Sequence, residues 1–396
     1  MRPIRRASLA YVVFFAAIGA GFPYLPVYYR SLGLDLAEIG IMTAVSAATQ
    51  LVASPLWGAL ADRFPRSRLS LPVAGLVAAA GTYAIAGIPA GVPVLAAVFL
   101  LSLGIAGVGP VLDSRTIEIL GSDRVRYGQL RGWGSLSFVV VAMAVGFLIE
   151  GEGIGSLFIV YGPLYVATAV VTLGLPRSGT ARSVSVYRGA LGLVRSRDVI
   201  AFLGAALLVF TALNGVTWFY SIALVDLGGT GSEVGLVWAV GALVEVPIMF
   251  AYPRLHARFG ATRILVVGAV LFAVRALLSA VATEPWHLVA ISPTEGIAYG
   301  LFFIAGVDFV ARRAPHGLAA TAQGLYAATN GIAAIVGAAA GGALAGATSV
   351  QLLFAVCGIV AIGGAVAIVA ALRVAPATGP SATGAAGTGP SGPAGT

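Results

Sequence analysis

Charge is scarce in this sequence: only 10% of its 396 residues are Asp, Glu, Lys or Arg, against roughly a quarter in an ordinary soluble domain. A water-facing surface cannot be built from so few charges, so most of the outer surface is expected to face lipid. Lysine is absent, and all 23 basic residues are Arg. One cysteine, Cys357, excludes an intramolecular disulfide and a Cys-cluster metal site. The three histidines, His256, His287 and His316, fall at predicted helix ends, which argues against a His metal site. With no Ser/His/Asp or Cys/His constellation available, an enzyme is disfavoured and no cofactor is implied.

What the chain has is apolar length. Hydrophobic residues make up 59% of it, and 53 glycines accompany them; small residues let membrane helices approach closely. A span needs about 20 apolar residues, and twelve segments satisfy this: 8–29, 37–61, 69–88, 92–119, 127–149, 155–176, 199–225, 232–252, 262–283, 286–311, 318–346 and 350–373. Arg2, Arg5 and Arg6 before an apolar stretch resemble a signal peptide. That stretch runs to about Tyr29 without a small-x-small cleavage pattern, so it reads as a retained first helix. Residues 374–396 are, after Val374, uncharged Gly, Pro, Ala, Ser and Thr, the composition of a disordered tail.

The arginines fix an orientation. One set of turns carries Arg63, Arg66, Arg68, Arg124, Arg126, Arg254, Arg258, Arg263, Arg312 and Arg313, and the same side holds the N-terminal arginines and the loop 177–198. The opposite loops carry Arg30 alone, with Asp35, Glu38, Glu150, Glu152, Asp226, Glu233 and Glu284. Twelve spans with both termini in the cytoplasm separate these sets. The net charge of +8 is therefore a matter of topology, not of nucleic-acid binding. The loop 177–198 divides the chain into a bundle over 1–176 and a second over 199–373. The two halves repeat: Leu60-Ala61-Asp62-Arg63-Phe64-Pro65-Arg66-Ser67-Arg68 and Leu255-His256-Ala257-Arg258-Phe259-Gly260-Ala261-Thr262-Arg263 share L-x-x-R-F-x-x-x-R at equivalent places. Parallel halves of this kind build a site at the bilayer midplane.

Gly58-Ala-Leu-Ala-Asp62-Arg63-Phe-Pro-Arg66 resembles the G-x-x-x-D-R-x-x-R loop of the major facilitator superfamily, with Pro65 where that pattern usually has Gly. The resemblance implies an all-α membrane protein of twelve transmembrane helices in two pseudo-symmetric six-helix bundles. It also implies tight helix contact at Gly58 and a conformational latch at Asp62, Arg63 and Arg66. The second copy has Ala257 in place of the acid, so the latch is expected in one half only. Pro23-Tyr24-Leu25-Pro26, Tyr127-Gly128-Gln129-Leu130-Arg131-Gly132-Trp133-Gly134-Ser135 and Thr321-Ala322-Gln323-Gly324 are similar to the branch containing the lactose and phenylpropionate permeases. By that likeness Asp113, in Pro110-Val111-Leu112-Asp113, and Arg131 contact substrate, with Tyr24 and Trp133 as further candidates. Arg275 matches the helix-nine Arg of the lactose permease. Glu295 stands where that permease has His, and Ala298 where it has Glu.

Ionisable groups inside a membrane are costly and face a cavity or a partner. Asp113 and Arg131 lie nine residues either side of the turn at 122, so they sit at one depth and can pair; the pair is either a substrate contact or a structural bridge. Arg275 and Glu295 are related in the same way about the turn at 284–285. Glu245, beside Pro247, has no local partner. Burial opposes ionisation of a carboxyl and a neighbouring guanidinium favours it, so Glu245, Glu295 and Arg275 are candidates for proton coupling, with a structural role as the alternative. Asp308 and Arg312 are one turn apart and read as a helix-end salt bridge. Asn214, Trp218, Tyr299, Asn330 and other polar or aromatic residues are candidates to line a cavity. The expected function is alternating-access transport of a small organic solute, a sugar, nucleoside or aromatic acid, by proton symport. The expected setting is a monomer in the lipid of the cytoplasmic membrane. Efflux by antiport and a non-transporting sensor or scaffold are the alternatives.

Overall fold

The computed structural model describes residues 3–64, 68–88, 91–121, 123, 126–176, 197–314 and 318–374. Arg66, most of the loop 177–198 and the tail from 375 onward lie outside them. The described residues form thirteen α-helices and no strand: α1 (Pro3–Gly21), α2 (Leu25–Ser31), α3 (Leu36–Arg63), α4 (Ser70–Gly87), α5 (Val92–Leu120), α6 (Tyr127–Glu152), α7 (Leu157–Leu173), α8 (Arg197–Asp226), α9 (Gly231–Ala280), α10 (Pro285–Ile291), α11 (Pro293–Arg313), α12 (Ala319–Ala347) and α13 (Val350–Val374). Eleven continuous helical stretches are long and apolar enough to cross a membrane.

The twelfth crossing is inside α9. This helix is 50 residues long, about 75 Å at 1.5 Å per residue, more than twice a hydrocarbon core of ~30 Å. It contains one non-helical residue, Gly260, at φ 73 and ψ 157. Gly241 packs against Gly296 while Arg275 pairs with the adjacent Glu295. A straight helix would hold Gly241 and Arg275 about 51 Å apart, so the rod folds back at Gly260. Two other predicted spans are each a pair of helices. The first breaks between α1 and α2 at Phe22-Pro23-Tyr24, and the tenth breaks at Ser292 before Pro293. Proline lacks the N–H that would continue the ladder and opens the next helix at its first position.

Capping boxes start the same helix in each half. Asp35 Oδ1 accepts from the Glu38 amide at 2.8 Å and Glu38 returns the bond to the Asp35 amide at 2.9 Å. Thr230 and Glu233 do the same for α9, at 3.3 and 2.8 Å. Each arrangement satisfies two orphan donors of a helix N-terminus.

Between the halves, α3 packs on α12 and α6 packs on α9. Each contact is the image of the other under exchange of halves. Both are made from glycine at the acidic-loop end. A Cβ on Gly40 would lie 2.6 Å from the Ala338 carbonyl oxygen, and one on Gly342 would lie 2.6 Å from the Leu36 carbonyl oxygen. A Cβ on Gly146 would lie 2.5 Å from the Gly231 carbonyl oxygen, and one on Gly235 2.7 Å from that of Ala142. At the arginine-rich end the same helices part: Gly58 on α3, Gly128 and Gly132 on α6, and Gly324 on α12 have nothing within 4 Å of a Cβ position. The interior is closed at the acidic end and open at the other.

Candidate functional site

The deepest charge is Arg275 on α9. It is 1% exposed, and its Nη2 lies 2.8 Å from Glu295 Oε2 on α11. Its guanidinium sits 4.4 Å above the Tyr220 ring of α8. Such contacts hold a cation that water does not reach. Thr217 of α8 donates to the other oxygen of Glu295 at 3.5 Å. Glu245 and Glu295 both line a cavity of about 380 Å³. Gly296 seats directly on the Gly241 carbonyl, so α9 and α11 touch backbone to backbone beside these carboxyls.

A second charged pair lies toward the arginine-rich end. Arg131 Nη1 is 3.4 Å from Asp113 Oδ2, and the Arg131 side chain is 49% exposed. Tyr11 donates to Asp113 Oδ1 at 2.6 Å, Arg131 donates to Tyr127 at 3.1 Å, and the guanidinium lies 5.7 Å from the Phe15 ring centre. The pair joins α1, α5 and α6.

A second cavity is about 630 Å³, within the roughly 300–1,000 Å³ typical of small-molecule sites. It lies between the halves, lined by α3 and α5 on one side and by α8 and α12 on the other. Its polar lining includes Ser46, Gln50, Ser102 and Asn330, and no charged residue borders it. Ile18, Phe22, Trp218 and Asn330 line both cavities, with the Phe22 and Trp218 ring centres 5.2 Å apart; Trp238 packs on Phe22 at 4.9 Å.

Other expected site residues fall elsewhere. Tyr24 is 1% exposed and donates to the Ala142 carbonyl at 2.5 Å, wedged where α6 meets α9. It lines neither cavity, because its hydroxyl is held inside the closed end. Trp133 lines neither cavity and is 58% exposed. Gly58 lacks the tight contact expected of it, because α3 and α12 have parted at that level. Asp62 and Arg63 are exposed at the end of α3, and among the described residues neither has an ion-pair partner within 4.0 Å. The second half does carry a polar contact at the equivalent turn, backed by a salt bridge within α11. His256 Nε2 lies 3.2 Å from Asp308 Oδ2, and Arg312 donates to the other oxygen at 2.8 Å.

Ser46, Gln50 and Ser102 were not distinguished by sequence. Their only signal was the four-residue spacing of Ser46 and Gln50, which puts both on one face of α3.

The model of the MFS_1 like family matches residues 4–356. The maltose permease of Geobacillus stearothermophilus is 31% identical over 363 residues, covering 89% of this chain and 91% of that protein. A probable 3-phenylpropionic acid transporter of Escherichia coli (strain K12) is 23% identical over 325 residues, covering 79% of this chain and 83% of its own. Among solved structures, the nucleoside transporter NupG superposes with a TM-score of 0.84 at 18% identity, over 94% of this chain and 100% of that one. A folded-back pair of helical bundles, an interior open at one end and a family match over nearly all of the helical body lead to one conclusion: this multi-pass membrane protein belongs to the MFS_1 like family and is a secondary transporter of small solutes, not an enzyme.

Proposed function

We propose that the chain is a monomeric proton symporter that imports a small organic solute by alternating access. The arginine-rich end and both termini would lie in the cytoplasm, with 1–176 and 199–373 as the moving bundles. The observation that carries this reading is the Arg275–Glu295 pair, buried beside a cavity that holds a second carboxyl, Glu245. Protonating Glu295 removes the charge that Arg275 is paired with. The guanidinium must then find another partner or more water, and either requires α9 and α11 to shift. Proton loading and helix movement are thereby linked. Glu245 shares the cavity and serves as the alternative or relay acid. Asp113 and Arg131, water-exposed toward the open end, meet the solute on its passage, and Asp62, Arg63 and Arg66 latch that end when it closes.

Reconstituted vesicles test this directly. Wild-type protein should accumulate solute in response to an imposed pH gradient. The Glu245→Gln, Glu295→Gln double variant should keep solute exchange but lose gradient-driven accumulation. Full gradient dependence in that variant sinks the coupling scheme, and solute export with no uptake would reverse the direction of transport proposed.

A further inference from the structure

The uncharged cavity between the halves carries a pattern of hydrogen-bonding capacity that selects a ligand class. Ser46 Oγ accepts from Ser102 Oγ at 2.7 Å and from Gln50 Nε2 at 3.3 Å. A hydroxyl has two acceptor sites and one donor, so the Ser46 proton remains to be given. Asn330 Oδ1 accepts from Asn214 Nδ2 at 3.1 Å, which turns the Asn330 N–H groups to other partners. Trp218 Nε1 is buried and, among the described residues, donates to nothing. The Gln50 carbonyl is an acceptor with no partner among the described residues. A buried donor left unsatisfied costs about 1–3 kcal/mol, so Trp218 Nε1 lacks a partner that a bound solute could supply, beside the half-buried Ser46, Gln50 and Asn330.

From these groups we propose that the 630 Å³ cavity binds a neutral, polyhydroxylated solute, held by Trp218 Nε1, the Asn330 amide, Ser46 and Gln50. Donors and acceptors are mixed, which suits hydroxyls, since each can both give and accept. A carboxylate or phosphate only accepts and calls for a cation, yet no charged residue lines the cavity. The neighbouring cavity, which shares Phe22, Trp218 and Asn330 with this one, holds two acids, Glu245 and Glu295, which oppose an anion further. Phe22, Tyr29, Tyr161 and Trp218 offer flat apolar faces to the ring of such a solute. The assignment rests on the transport reading above and narrows its solute to a sugar or nucleoside, excluding an aromatic acid. It also moves the binding centre from the Asp113–Arg131 pair to the Ser46–Asn330 pair, one residue from each half.

The test is thermal stabilisation of the purified full-length protein by maltose, glucose, sorbitol, uridine and 3-phenylpropionate, with no pH gradient. At least one neutral compound should raise the Tm in a dose-dependent way, and 3-phenylpropionate should not. Maltose or glucose against uridine separates the sugar from the nucleoside. Trp218→Phe keeps a ring and removes only the donor, and Asn330→Ala removes the amide. Each should weaken apparent affinity roughly fivefold to a hundredfold, as loss of a bond from a buried donor does. Ser46→Ala replaces Asn330→Ala should the latter not fold. Stabilisation by 3-phenylpropionate alone, by none of the neutral compounds, or equally in all variants overturns the assignment. Because binding is read without a gradient, a coupling scheme that fails in vesicles leaves this result standing, and the reverse also holds.

Discussion

Arg275 Nη2 meets Glu295 at 2.8 Å while its Nε, among the described residues, has no hydrogen-bond partner, so one carboxylate and the Tyr220 ring balance a charge that is 1% exposed. Arg275→Ala leaves Glu295 uncompensated and should destabilise the protein by about 3–5 kcal/mol, read as a lower Tm in detergent. The Arg275→Ala, Glu295→Ala double variant should recover part of that loss. Arg131→Ala is the contrasting case. Its pair with Asp113 is 3.4 Å long and half exposed, and such pairs contribute ~0–1 kcal/mol. An unchanged Tm with reduced uptake would therefore mark Arg131 as functional. The two charged pairs were legible in the sequence, because equal distances from a turn put two residues at one depth. The neutral cavity was not. Ser and Gln pass unnoticed in an apolar helix, and the cavity exists only where α3, α5, α8 and α12 converge.

At the level of helices, apolar length located the crossings but not their breaks. A single span was expected over 8–29, and the structure divides it at Pro23. Spans at 232–252 and 262–283 were expected to be separate, and they are two helices that meet at Gly260 with no loop between them. A hydropathy window does not register one residue whose backbone turns. Gly260 has φ 73 and ψ 157, a region that is essentially glycine-only and costs other residues about 1–3 kcal/mol. Gly260→Ala should lower stability by that amount, measured by thermal unfolding. At the other end of the fold, Gly40→Leu places a side chain into the backbone of α12. Overpacking of this kind costs about 1–3 kcal/mol. The population closed at the acidic end should fall roughly fivefold to a hundredfold by the same estimate, detected as reactivity of a thiol introduced at Gln50 toward an impermeant maleimide supplied from the acidic-loop side alone. An unreactive thiol would show that the glycine contact does not seal the interior.

For the molecule as a whole, the division between arginine-rich and acidic ends makes a topological prediction. The native Cys357 is buried, so a single introduced cysteine can be followed. In intact cells an impermeant maleimide should label Glu152→Cys at once, and Arg63→Cys only after the membrane is opened. The opposite pattern would invert the transporter. The sealed end adds a consequence of its own. Its two closures are backbone resting on backbone, with Tyr24 wedged into the one between α6 and α9. A carboxylate bridges one of these contacts at its rim, where Glu150 of α6 accepts from the Ser232 amide of α9 at 3.0 Å, so acidity has a handle there. Opening that end requires the backbones of α3 and α12, and of α6 and α9, to separate at their glycines and the Glu150–Ser232 bond to break with them.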